Sequence, residues 1–536
     1  MSYLETMCDE VISGNCWLCF FVCAMLLGVA AGCTTAGVDR QVDRRVAEEG
    51  FAWGGFERSV EDFQAEAAPR PERPESPVGL DAVSVLELGT LYSRTLQGRR
   101  DDLRRAGLDL FGTERDFEFG FSGTVSFIAE SGEDRDSQGV TGSLETSRIL
   151  PTGGRVRAST QGGRQTVSGE ETERETTVSG EARVRIDQPL GAGAGYGVAY
   201  EPLIQARRNF VYALRDFSLQ RQDLAIETLR GFYNLASQRM AVENTRLNLQ
   251  QFEFLRKRSE ALFQVNRAPA IDVLRSQQQE LSALNRLTGI EERYQIAVGR
   301  FLLQLGLPPD WPVEIGDPIP ELKEVRLSEE AVTELALERR VDFQTVRERE
   351  EDALRRLAVA RNARWPEVNA FGEAVWSGSG AERFSDLETE QVVRGGVSMV
   401  LPIDQRSERD GLRRAMLEVE AAKRRTEERR DQIRLEVRES FSQLRTQQTA
   451  VEIERQNIEI AERRVTNATL LFRSGRLSNR DVIEAENQLL DARNAFVQAL
   501  VDYEIQRLTL LRNIGLLDVD ARGRMVELPF PGEEMM

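Results

Sequence analysis

Two kinds of hydrophobic pattern alternate along this chain. Between Gly112 and Gly197 apolar residues tend to fall at every second position, as in Phe117, Phe119, Phe121, Val125 and Phe127, and again in Ala182-Arg183-Val184-Arg185-Ile186-Asp187. A period of two is the signature of strands with one apolar and one polar face, and sixteen of the 42 glycines lie in the same region. Alternation returns at Val368 to Trp376 and at Val393 to Leu401. By contrast, Leu203 to Phe263 and Leu412 to Phe472 hold no proline and little glycine. At ~1.5 Å per residue each has room for a helix of about 90 Å, too long for the interior of a globular domain.

The two helical regions are copies of one another. Phe263-x-x-Asn266-Arg267-x-x-x-x-Asp272-Val273-Leu274 matches Phe472-x-x-Gly475-Arg476-x-x-x-x-Asp481-Val482-Ile483 at an offset of 209. Without a gap, that offset pairs Leu203 with Leu412, Ala206 with Ala415, Phe232 with Phe441, Leu235 with Leu444, Val242 with Val451, Glu243 with Glu452 and Arg246 with Arg455. It continues through Asn285 with Asn494, Tyr294 with Tyr503 and Gly306 with Gly515. The duplicated unit reads strand region, long helix, short turn, shorter helix. The first unit spans 81–306, with strands at about 116–190, a long helix over 201–263 and a return helix over 269–306. A segment 307–341 separates it from the second unit, 342–516, with strands at about 366–402, a long helix over 405–472 and a return helix over 478–515; 517–536 is a tail.

Along the second long helix Val437, Leu444, Val451, Ile458, Val465 and Phe472 recur every seven residues, which imposes a left-handed supercoil on a neighbouring helix. The companion column Ile433, Ser440, Gln447, Glu454, Ala461 is half polar. A narrow seam flanked by charge suits helices set side by side in a wall with water on one face. A plain antiparallel coiled coil is the other arrangement with this period.

No apolar run after the leader reaches the ~18 residues of a membrane-spanning helix. If the chain crosses a bilayer it does so with closed β-strands, because lipid cannot satisfy an open sheet edge. Two strands per unit make four per chain, so several chains must share one barrel. The polar insert Glu130 to Ser179, containing Leu150-Pro151-Thr152-Gly153-Gly154, reads equally as an extra hairpin or an external loop. Trp365 and Trp376 bracket the third strand region and read either as interfacial girdle residues or as core packing.

Composition removes most catalytic readings. The 536 residues contain no histidine, which excludes a Ser-His-Asp triad, Cys-His nucleophiles and imidazole zinc sites, and no catalytic or metal residue is assigned. The three lysines, Lys257, Lys323 and Lys423, do not follow glycine, so a Walker A loop is absent. Gly191-Ala192-Gly193-Ala194-Gly195-Tyr196-Gly197 places Tyr196 where a dinucleotide fingerprint needs its third glycine, and reads as a strand-to-helix bend. A net charge of -18 disfavours nucleic acid. No cofactor is expected, and the chain is not read as an enzyme.

All five cysteines, Cys8, Cys16, Cys19, Cys23 and Cys33, lie in the first 33 residues, where Cys16 to Ala31 is apolar. Residues 1–32 read as an export signal. Ala30-Ala31-Gly32-Cys33 resembles a bacterial lipoprotein cleavage box, which implies lipidation of Cys33, although Ala30 stands where Leu is usual and no Lys or Arg precedes the apolar run. Thr34 after the cysteine implies sorting to the outer membrane. Residues 33–80, rich in Pro and charge around Arg70 to Pro77, read as a flexible tether.

On this duplicated frame, Gln188-Pro189-Leu190-Gly191-Ala192-Gly193, Ala363-Arg364-Trp365-Pro366-Glu367-Val368, Leu401-Pro402-Ile403 and Phe472-x-x-Gly475-x-x-Ser478-x-x-Asp481-Val482 occur in order. The chain resembles the TolC-like outer-membrane efflux proteins over roughly Leu86 to Leu516. The resemblance implies a mainly α fold with a β part: a homotrimeric α-helical tunnel continuous with a transmembrane β-barrel of four strands per chain. Segment 307–341 and the tail would form a periplasmic belt. The turns Asn266, Arg267, Ala268, Pro269 and Gly475, Arg476, Leu477, Ser478 would dock a periplasmic adaptor that joins an inner-membrane pump. Asp272, Asp481 and Glu484 would constrict the tunnel entrance, with helix capping as a compatible role for Asp481 beside Ser478. Leu477 falls where some relatives carry a basic gate residue, with Arg476 or Arg275 as substitutes. The function implied is passive conduction across the outer membrane in tripartite efflux; a duct for type I protein secretion and a lipid-anchored coiled-coil spacer without a pore are the alternatives.

Overall fold

The structure, a computed structural model, describes residues 74, 76–131, 135–169, 175–316, 322–323, 328–381, 388–401, 403–474 and 476–528. The signal sequence, Cys33 with the other cysteines, most of the tether, Pro402, Gly475 and the end of the tail lie outside them.

Each half follows one plan: an 11-residue helix, a 22-residue helix, a strand region, a very long helix and a return helix. In the first half these are α1 (Ala82–Tyr92), α2 (Arg94–Arg115), four strands between Gly120 and Pro189, the short α3 (Tyr196–Ala199), α4 (Glu201–Gln264) and α5 (Ala270–Leu305). In the second they are α6 (Glu329–Arg339), α7 (Val341–Asn362), β7 (Glu367–Ala381), β8 (Glu388–Val400), α8 (Arg406–Arg473) and α9 (Asn479–Asn513). The paired shorter helices before each strand region had no counterpart in the sequence reading. Their starts are nonetheless encoded: Asp81 caps α1 in a reciprocal box with Ser84, and Ser328 caps α6 through the Ala331 amide.

At 64 and 68 residues, α4 and α8 extend for about 100 Å. Pro202 stands in the first turn of α4, where its missing N–H costs nothing. The return helices stop at sequence-equivalent glycines: Gly306 and Gly515 have φ of 84° and 74°, a left-handed geometry that ends a helix and favours glycine. A Cβ on Gly306 would fall 2.0 Å from the Tyr92 carbonyl oxygen, so here glycine also admits a close chain crossing.

The first half of the heptad seam is buried where the period places it, and Ile458, Val465 and Phe472 are partly buried. Val437, Leu444 and Val451 are 0%, 4% and 1% exposed, and the companion Ile433, Ser440 and Ala461 are buried beside them. Burying an aliphatic side chain of this kind contributes roughly 1.5–3 kcal/mol. The largest core joins α1, α4 and α5 with α6, α8 and α9. Short strands brace it: β1 (Val78–Leu80) pairs in parallel with β6 (Val313–Ile315), and β9 (Leu517–Val519) pairs antiparallel with β10 (Met525–Glu527).

Between α2 and α4, and between α7 and α8, the chain builds one antiparallel sheet in the order β2-β3-β4-β5-β7-β8. Its first-half strands are β2 (Gly120–Ser131), β3 (Arg135–Ile149), β4 (Arg155–Gly169) and β5 (Glu175–Pro189). The sheet has six strands, not the four that the family resemblance implies. The polar insert is responsible: most of it becomes β3, β4 and the turn between them, in register with both neighbours along their length.

Candidate functional site

The sheet has two chemically distinct faces. Because paired residues share a face, the registers place Phe121, Gly123, Val125 and Phe127 of β2 with Thr146, Leu144, Gly142 and Val140 of β3. The same face continues through Ala158, Val184, Ala374 and Val393, each paired to the next. The opposite face carries the row Arg157, Arg185, Glu373, Arg394 across successive strands. Ion pairs lace it: Arg157 to Glu145 at 3.0 Å, Arg183 to Glu181 at 2.8 Å and to Glu373 at 3.3 Å, and Arg185 to Asp187 at 2.8 Å. The apolar face stands open, with Phe121, Val125 and Val393 at 73%, 82% and 71% exposure. Apolar on one side apart from Arg148 and Arg164 towards its two ends, and charged on the other, this sheet matches a barrel wall between lipid and a wet lumen.

The tryptophans do not bracket the third strand. Trp365 is 65% exposed in the turn before β7, whereas Trp376 lies inside β7 and pairs with Ala182 on the apolar face, with the strand continuing to Ala381. The strand-to-helix bend is tightly built. Gly195 N donates to the Thr152 carbonyl at 3.0 Å, and Gly193 N donates to Asn362 Oδ1 at 2.8 Å. Gly153, with φ of 90°, sits so close that a Cβ would lie 2.5 Å from the Gly193 oxygen. The β3–β4 turn is thereby joined to the start of the helical region.

At the far end of the long helices the sequence-chosen residues converge. Asn266 adopts φ of 56° in the first turn; the repeat places Gly475 at the matching position, outside the described residues. Arg267, Ala268 and Pro269 lead into α5, for which Pro269 is the N-cap. Arg476, Leu477 and Ser478 lead into α9. Asp272 is mostly buried and pairs with Arg275 at 3.0 Å. Asp481 accepts from the Ser478 amide at 3.0 Å and from its hydroxyl at 2.6 Å. The Ser478 hydroxyl, then its amide, hold the Asp481 carboxyl below the usual carboxylate range. Glu484, half exposed, pairs with Arg464 of α8 at 3.0 Å. Capping by Asp481 is thus present, and each of the three carboxylates has a partner within its own chain.

Sequence reasoning missed the residue that joins the two turns. Asn479, fully buried at the start of α9, donates to Ser259 Oγ and to the Asp272 carbonyl, both at 3.1 Å. It also missed the buried charge clusters. Arg507 makes paired contacts with Glu504 and with Glu527 at 2.8 Å, tying the tail to α9. Asp342 joins Arg340 at 2.7 Å and Arg429 at 2.6 Å, tying α7 to α8. Burial opposes its ionisation, but hydrogen bonds from Arg340 and Arg429 outweigh burial and keep it ionised. Among the described residues no cluster of three or more metal-ligating side chains occurs, and no helix is long and apolar enough to cross a membrane.

A two-faced sheet running directly into helical hairpins of about 100 Å is the architecture of a TolC-like outer-membrane channel. Residues 332–516 match the family described as Outer membrane efflux protein. Solved structures carry the likeness over nearly the whole fold. The outer-membrane channel OprN is 16% identical, with a TM-score of 0.60 over 84% of this chain and 98% of its own. The outer membrane protein VceC from Vibrio cholerae is 15% identical, with a TM-score of 0.60 over 81% and 96%. The open state of the MtrE outer membrane channel of Neisseria gonorrhoeae is 11% identical, with a TM-score of 0.60 over 84% and 98%. No curated protein sequence matches the chain.

Proposed function

We propose that three copies of this chain form a passive outer-membrane conduit in a tripartite efflux system, receiving substrate from an inner-membrane pump through a periplasmic adaptor. The observation that carries this reading is the sheet: a charged face cannot meet lipid, and an apolar face cannot meet water over this area, so the sheet must separate the two. One chain leaves the outer edges of β2 and β8 without partners among the described residues, and copies of the chain supply them.

Exposed apolar residues on the helices fit the same assembly. Leu274, Leu281, Ile296 and Leu303 stand out from α5, and Leu435, Ile453 and Ile460 from α8, all more than half exposed. Packing α5 of one copy on α8 of the next covers both rows. In this reading Asn266 to Pro269 and Arg476 to Ser478 face the adaptor, Asp272, Asp481 and Glu484 narrow the entrance, Trp365 anchors the inner rim of the barrel, and Cys33 carries the lipid.

The test is single-channel recording in planar bilayers with the purified protein. Neutralising Asp272, Asp481 and Glu484 together by Asp→Asn and Glu→Gln is expected to raise open-state conductance several-fold and to weaken block by divalent cations. A solid particle with no conductance in either form overturns the proposal in favour of a poreless spacer.

A further inference from the structure

The trimeric reading says that a barrel closes; the strand count then says how wide it is. We propose that this conduit closes through eighteen strands rather than twelve, with β8 of each copy hydrogen-bonded to β2 of the next, so that the membrane segment is as wide as the helical tunnel and passes bulky hydrophilic solutes that a twelve-strand barrel excludes. The inference rests on the trimeric conduit proposed above.

Six strands per chain form one continuous ladder, with β3 and β4 paired to their neighbours as fully as β5 is to β7. The extra hairpin is part of this wall. Its inner turn is fixed to the helical region through Gly195 N to the Thr152 oxygen and through Gly153 against Gly193, and it continues both faces, with Thr160 and Gly162 on the apolar side between Arg148 and Arg164 towards the two ends, and Arg157 on the charged side. The free edges match as well. β2 and β8 are 12 and 13 residues long, and Phe121, Val125 and Phe127 on one and Val393, Val397 and Met399 on the other are exposed on the same face of the sheet.

Perimeter decides what the extra pair does. Eighteen strands spaced by ~4.8 Å and tilted by ~40° make a wall of about 113 Å, whereas twelve make about 75 Å. Twelve helices in cross-section, four from each of three chains, packed at 8–10 Å make roughly 96–120 Å. With six strands per chain, the barrel meets the tunnel at equal girth, with a backbone diameter of about 36 Å instead of about 24 Å.

The experiment is electron cryomicroscopy of the detergent-solubilised full-length protein, beside a variant lacking residues 135–174, in which β2 leads directly into β5. Eighteen strands in the intact protein, and twelve with a perimeter smaller by about one third in the variant, support the inference. A twelve-strand barrel in the intact protein, with β3 and β4 lying outside it, overturns it while leaving the conduit standing. A particle without a lumen defeats the conduit reading itself. If the variant fails to fold, the count in the intact protein alone decides. Entry of neutral polyethylene glycols, read as loss of open-channel conductance, gives a second measure: the intact channel should admit polymers that the variant excludes, and equal cut-offs from barrels of the two girths would overturn the proposed gain in cargo size.

Discussion

The side-chain amide of Asn479 donates to the backbone carbonyl of Asp272 at 3.1 Å, joining the first turn of α9 to the first turn of α5. The same amide reaches Ser259 on α4. The tie is one-sided, because the repeat puts Ala270 where a second such asparagine would stand. This buried side chain hydrogen-bonds the two hairpin tips to each other, beside an apolar cluster that includes Leu255, Val482 and Ile483 and the stacking of Arg258 on Phe472.

Asn479→Ala should therefore loosen the tips selectively. Leaving Ser259 Oγ and a buried carbonyl without this donor costs about 1–3 kcal/mol. Hydrogen exchange should accelerate over 266–275 and 476–485 while helices α1 and α6 stay protected; uniform protection across the tips would refute the tie.

Capping at α9 should survive mild acid. Asp481 is depressed below its ordinary value of 3.8 by the Ser478 hydroxyl and amide. A carboxylate depressed in the folded state contributes stability above its unfolded value and loses it only as pH falls through the lower folded one. Exchange protection of the first turn of α9 should hold from pH 7 to near pH 4 and fall below that. In Asp481→Asn this acid step should disappear.

Alkaline behaviour has a different source. The Tyr212 hydroxyl donates to the buried Asp352 at 2.8 Å, and burial, then this carboxylate, pushes the phenol up to about 12. A raised value means stability complete below the unfolded value near ~10 and lost as pH climbs towards ~12. Tyr212→Phe should remove that loss and cost about 1–2 kcal/mol at neutral pH, because Asp352 keeps Arg208 and Arg355. Denaturant melts at pH 7, 10 and 11.5 provide the check.

Removing Arg507 strands Glu504 at the junction of α9 and the tail, while Glu527 keeps Lys323 at 3.4 Å. Arg507→Met should destabilise by about 3–5 kcal/mol, and adding Glu504→Leu should restore much of it, since a broken buried pair costs more than an absent one. Thermal melting of the single and double variants separates the two cases.

At the inner rim of the sheet, Gly153→Ala forces a side chain into left-handed backbone and against the Gly193 oxygen. A cost of about 1–2 kcal/mol from the backbone alone is expected, visible as a lower melting temperature; Gly154→Ala has no left-handed φ to oppose it but brings a Cβ to 2.6 Å from Gln188 Oε1, so its cost comes from packing.

The helical tunnel was legible because its signals repeat. Val437, Leu444 and Val451 recur at a fixed period, and the 209-residue offset pairs Gly306 with Gly515, which the structure shows to be matching helix stops. The strand count was not legible. The row Gly142, Gly162, Gly180, Gly378 has no side chains with which to mark a period, and β3 and β4 are mostly Ser, Thr, Gly, Gln and Arg. A sheet facing lipid with small residues and water with charge offers little of the contrast that identifies a core strand. The tip residues were found through the duplication, but Asn479 was passed over because its counterpart is alanine. The clusters at Arg507 and Asp342 lay beyond reach because Glu527 and Arg429 are brought to them only by the tertiary fold.

The added hairpin occupies one half of the duplicated chain and not the other. In the trimer proposed above, the six sectors of the rim would therefore be three broad and three slender ones, and anything gripping that rim would meet a three-point target rather than a six-point one.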